Sequence, residues 1–67
     1  VLKKQLGKRI AMLRQAAKLT QAKLAEKSGY SVEFISLVER GINAPSVEGC
    51  ERIAKTLHVS VKDLFDL

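Results

Sequence analysis

Leu2, Leu6, Ile10, Leu13 and Ala17 recur at steps of four, four, three and four. That spacing is one apolar stripe on a helix of about four turns. Thr20 is a good N-cap for a second helix that carries Leu24 and Ala25 and stops at Ser28-Gly29. A third helix is predicted through SVEFISLVERG, with Ser31 as its cap and Gly41 as its stop. Beyond the loop GINAP, Ser46 caps a fourth helix whose Val47, Cys50, Ile53, Ala54 and Leu57 share a face. His58, a residue type that enters the left-handed region more readily than most, closes it as a C-cap. Ser60, with Asp63 three residues on, is a capping box opening a short fifth helix with Val61, Leu64 and Phe65. Strand alternation, repeats and linkers are missing from the pattern. The expectation is an all-α chain, a compact five-helix domain spanning residues 1–67.

The third helix carries more apolar residues than a core contact needs. With residues placed about 100° apart from Val32, Ile35 and Val38 fall at about 300° and about 240°, which sets the core side. Glu33, Ser36, Leu37 and Arg40 lie opposite, with Val32 at the margin and Phe34 on the far flank. Such an outward face mixes polar groups with Val32, Phe34 and Leu37. It suits a target that displays both polar edges and methyl groups.

Charge adds a direction to this picture. Residues 1–27 hold eight basic side chains against one acidic, and residues 28–67 hold four against six. A one-sided basic field fits a polyanion such as nucleic acid, and a solvated basic helix face is the plainer explanation. At 67 residues the chain is too small for a cleft between lobes and gains from oligomerisation. No apolar run is long enough for a membrane span and no signal pattern opens the chain, so a cytoplasmic protein without membrane association is expected. Val1 in place of Met points to residues preceding it.

Catalysis and cofactors find no footing. Cys50 and His58 are the lone members of their types and cannot complete a four-ligand zinc site. Cys50, on the apolar face of the fourth helix, reads as a small core residue, in keeping with a reducing compartment. Gly41 and Gly49 are isolated and form no phosphate loop, and no triad can be assembled. The expectation is a non-enzymatic protein without metal or cofactor.

Residues of about 20–40 have the layout of a helix-turn-helix. Ala25 allows close crossing of the two helices, and Gly29 can take the positive φ of the turn. Ser28 and Tyr30 stand where plain aliphatics are expected to pack better. With these features in place, LTQAKLAEKSGYS, FISLVERG, APSVE, RIAKTL and VSVKDLF resemble the phage-repressor and Cro type of helix-turn-helix protein, the XRE family, from about Leu6 to Phe65.

The resemblance implies a repressor-like DNA-binding domain, double-stranded DNA as partner, and a homodimer on a palindromic operator. It places Val32, Glu33, Ser36 and Leu37 at the bases and Gln21 at a phosphate; Lys23, Arg40 and Asn43 are expected along the DNA backbone with it, and Ser31 is counted among the DNA-binding residues. It also implies an ion pair between Arg14 and Glu39. The loop after the third helix is often basic in such proteins, whereas here it is Ile42, Asn43, Ala44. Lys23 stands where an acid is common, and a phosphate beside it would offset its unfavourable place at a helix N-terminus. Val61, Leu64, Phe65 and Leu67 are the expected dimer surface, since a short fifth helix cannot bury so many apolar groups itself. A restriction-modification controller or a small phage-type regulator fits this reading. The competing one is a protein-interaction module of the same fold, such as an antitoxin or a regulator's partner-binding domain. An RNA or single-strand binder is disfavoured because Phe and Tyr total three.

Overall fold

The computed structural model describes residues 2–67, so Val1 lies outside the described residues. Its helices are α1 (Leu2–Ala16), α2 (Gln21–Ser28), α3 (Val32–Glu39), α4 (Val47–Leu57) and α5 (Val61–Leu64), with no strand among the described residues. Four of them begin at hydroxyl caps. Thr20, Ser31, Ser46 and Ser60 accept from the amides of Lys23, Phe34, Gly49 and Asp63 at 3.0, 3.1, 3.0 and 3.2 Å. Asp63 returns the bond by accepting from the Ser60 amide at 3.1 Å, which completes the capping box. Each such cap contributes about 1 kcal/mol.

The helix ends share a second device. His58 closes α4 at φ 60°, and Lys18 adopts the same left-handed conformation after α1. Leu19 and Val59, the residues just beyond these caps, donate their amides to Arg14 and Ala54 carbonyls at 3.1 and 3.0 Å. These are Schellman closures, in which the residue after the cap packs back on the helix it ends. Leu19 and Val59 accordingly rest on the core. Ala17 does not extend the α1 stripe as its spacing suggests: the helix ends at Ala16, Ala17 is exposed, and Leu19 covers the core there. Leu2, at the other end of that stripe, is also exposed.

A single apolar cluster joins all five helices through Leu6, Ile10, Leu24, Ala25, Ile35, Val38, Cys50, Ile53, Ala54, Leu57 and Leu64. Burial pushes the Cys50 thiol up from its ordinary pKa, which keeps it protonated and inert. Leu64 is a correction to the expected dimer surface. It has no solvent exposure, because it is the side chain by which four-residue α5 packs onto its neighbours. Arg9 reinforces that attachment by donating from Nε to the Asp63 carbonyl at 2.8 Å.

Gly7 decides how α1 meets α3. A Cβ at Gly7 would overlap the Val38 carbonyl oxygen and come within 2.9 Å of that of Glu39. The two backbones therefore touch, and only glycine permits it.

Candidate nucleic-acid interface

The α2–turn–α3 unit is held from three directions. Beneath it, Leu24, Ala25, Ile35 and Val38 are buried in the core. Gly29 makes the turn at φ 79°, and the Tyr30 amide donates to the Ala25 carbonyl at 2.9 Å. Ser28 is almost fully buried yet satisfied: its Oγ donates to the Leu24 carbonyl at 2.6 Å and its own carbonyl accepts from Arg52 Nε at 2.9 Å. The expected misfit at Ser28 is thus absent, since a buried hydroxyl with a partner costs little.

Tyr30 overturns the other expected misfit. Its ring stacks on Phe34 with centroids 4.5 Å apart, and the guanidinium of Arg52 on α4 lies 5.0 Å from the ring. Its hydroxyl lies where a Cβ of Gly49 would be. An aliphatic at this position would lose the stack and the cation–π contact. Tyr30 and Phe34 stand four residues apart, a pairing that the sequence displays. Nothing in the spacing points to Arg52 or Gly49.

From the α1 side, Arg14 and Glu39 meet in two parallel bonds, Nε to Oε2 at 2.7 Å and Nη2 to Oε1 at 3.1 Å. Their side chains are only 12% and 7% exposed, so the pair is largely shielded from water. Arg14 also donates to the Leu19 carbonyl at 2.8 Å, and Gln21 Nε2 donates to Glu39 Oε1 at 2.9 Å. One carboxylate therefore ties α1, the start of α2 and the end of α3 together. Gln21, expected at phosphate, is bound into this network and leaves one amide hydrogen for an outside acceptor.

The outward face of α3 contrasts with these supports. Ser31 caps the helix, Val32 and Glu33 are exposed, and Ser36 and Leu37 are half-buried. Among the described residues, the side chains of Val32, Glu33, Ser36 and Leu37 make no hydrogen bond or ion pair within the domain. Arg40 is exposed at the C-cap, and half-buried Asn43 comes next in the loop. Lys23 lies on the exposed start of α2, where its Nζ meets Glu26 at 3.1 Å. An exposed pair of this kind contributes little and exchanges readily for another anion. Helix periodicity places the outward residues together, and it misses the side chains that hold them.

A buried three-way clamp behind a short helix that presents unbonded residues defines a helix-turn-helix DNA-binding domain. The helix-turn-helix family matches over residues 10–64, and the chain belongs to it, within the XRE type of transcriptional regulator. An uncharacterized HTH-type transcriptional regulator of Mycobacterium tuberculosis is 41% identical over 59 residues, which cover 88% of this chain and 42% of that protein. SinR of Bacillus subtilis, an HTH-type transcriptional regulator, is 34% identical over 62 residues, covering 91% of this chain and 56% of SinR. The chain thus spans about half the length of these curated relatives. The restriction-modification controller protein C.AhdI of Aeromonas hydrophila superposes with a TM-score of 0.91 at 32% identity, over 94% of this chain and 96% of that one. SinR in complex with DNA gives 0.85 at 34% identity, over 91% and 98%. No helix among the described residues is long and apolar enough to cross a membrane.

Proposed function

We propose that this protein is a sequence-specific transcriptional regulator of the cytoplasm that binds a palindromic duplex operator as a homodimer, with α3 in the major groove. The observation that carries the reading is the set Val32, Glu33, Ser36 and Leu37, turned outward and unbonded on a helix fixed by its other faces. An α-helix with its side chains is about 10 to 12 Å across, which matches the roughly 12 Å width of the major groove. The solved complex of SinR with DNA, at 34% identity, supports the same class of ligand. The type proposed is a restriction-modification controller or a small phage-type regulator.

In the groove, Val32 and Leu37 meet thymine methyls, Glu33 accepts from a cytosine amino group, and Ser36 bonds to base edges. Ser31, Gln21, Lys23, Arg40 and Asn43 flank that face and contact the backbone. Leu37→Ala is expected to relax the preference at one thymine by about 1 to 3 kcal/mol while leaving the fold intact. Uracil in place of that thymine removes only the methyl. It should weaken wild-type binding in a titration and leave Leu37→Ala nearly indifferent. Equal losses for both proteins, or none at any thymine, would sink the assignment.

The second copy is proposed to sit over α5. Val61, Phe65 and Leu67 are 37%, 44% and 49% exposed, and Phe65 borders an apolar groove lined by Leu2, Leu6, Val47, Cys50 and Val61. An aromatic knob beside its own groove is self-complementary under two-fold symmetry. Phe65→Asp should therefore convert a dimer to a folded monomer in sedimentation equilibrium. Wild type sedimenting as a monomer at high micromolar concentration would dispose of this surface.

A further inference from the structure

We infer that Lys4, at the start of α1, is a DNA-backbone contact that supplies the cationic group missing from the loop after α3. The inference rests on the DNA-binding reading above. Residues 41–46, from Gly41 to Ser46, contain no Lys or Arg, so this loop offers a phosphate only amides and Asn43. The fold brings lysines to it from 39 positions away.

Two glycines make that approach possible. Gly7 lets α1 ride on the Val38 and Glu39 carbonyls, and one turn earlier the chain at Lys4 lies directly on Gly41. A Cβ at Gly41 would stand 2.8 Å from Lys4 Cα and 2.5 Å from its Cγ. Lys4 is thus registered against the first residue of the loop by backbone contact. Lys3 fixes the next one, donating from Nζ to the Ile42 carbonyl at 3.3 Å.

The Lys4 side chain is exposed, and among the described residues it enters no ion pair. No acidic residue precedes Glu26 in the chain, so nothing local competes for its charge. Lys8 and Lys27 also enter no ion pair among the described residues, and what sets Lys4 apart is its contact with Gly41; the remaining cations of these helices are engaged. Arg9 lies on Asp66 and the Asp63 carbonyl, Arg14 is locked on Glu39, and Lys23 is engaged with Glu26. A lysine without an ion pair, seated against Gly41 in the loop that follows Arg40 and leads to Asn43, is in reach of a phosphodiester that this loop would meet.

A lysine here also sits near the carboxyl end of α3, where a cation stabilises the helix. The two roles separate in the salt dependence of binding. Lys4→Met keeps the stem that packs on Gly41 and removes the charge. Lys4→Arg keeps both. With a short duplex of mixed sequence as probe, Lys4→Met should lower the magnitude of the log–log salt slope by about 0.9, and Lys4→Arg should restore it. Lys55→Met, on α4 in a shallow surface shared with Glu48 and Glu51, should leave the slope unchanged. A Lys4→Met slope equal to wild type, or equal drops for Lys4→Met and Lys55→Met, would overturn the inference and leave DNA binding standing. A wild-type protein that does not retain the duplex at any salt concentration would overturn both.

Discussion

Glu39→Ala is expected to cost the domain about 3 kcal/mol, the low end of the penalty for removing one partner of a buried ion pair. The reason is the shielding of both partners, at 12% and 7% side-chain exposure, together with the Gln21 amide that shares the same carboxylate. Removing Glu39 leaves the Arg14 guanidinium largely out of water with only the Leu19 carbonyl as acceptor. A domain of this size has little stability to lose, of the order of 5 kcal/mol. Urea denaturation should therefore show Glu39→Ala with about 2 kcal/mol left and a midpoint well below that of wild type. The apolar pair Arg14→Met with Glu39→Leu should be markedly more stable than Glu39→Ala alone, because it leaves no unpaired charge. A double-mutant cycle between the two positions with coupling near zero would show that both groups are solvated separately.

Gly7→Ala is the second large effect. Alanine normally improves a helix interior by about 1 kcal/mol over glycine. Here its methyl would enter the space of the Val38 carbonyl, a backbone atom that moves only with α3 itself. Overpacking of this kind costs about 1 to 3 kcal/mol and sometimes more, so the net expectation is a loss of about 2 kcal/mol. For a domain of this length that lowers the melting temperature by about 8 to 16 °C in calorimetry. A melting temperature at or above wild type would mean that α1 and α3 separate without penalty. In that case the tight crossing is not what positions α3.

The fold is legible to a degree set by local chemistry. Caps at Thr20, Ser31, Ser46 and Ser60 announce helix starts because a hydroxyl or carboxylate bonds within three residues, and that interaction is written entirely in adjacent letters. His58 is readable as a left-handed cap for the same reason, whereas Lys18 is not, since lysine carries no preference for that region. The pairing of Arg14 with Glu39 comes from resemblance, and helix periodicity alone puts Glu39 only at the margin of α3. Long-range packing is the illegible part. Ser28 and Tyr30 look like poor packers when seen as side chains on a turn, and their partners on α4 are 19 or more residues away. The expected dimer surface errs at Leu64 because four residues of helix do not reveal which of three apolar side chains turns inward.

The separation between what holds α3 and what α3 displays bears on how the protein can change. Ile35, Val38 and Glu39 carry the attachment, while the side chains of Val32, Glu33, Ser36 and Leu37 form no hydrogen bond or ion pair within the domain among the described residues. Substitutions at exposed Val32 and Glu33 carry small folding penalties, because surface sites away from caps and ion pairs shift stability by about 0.5 kcal/mol or less, whereas half-buried Ser36 and Leu37 have packing to lose. On the proposed DNA-binding reading, target choice can therefore be redesigned first at Val32 and Glu33 without compensating changes elsewhere.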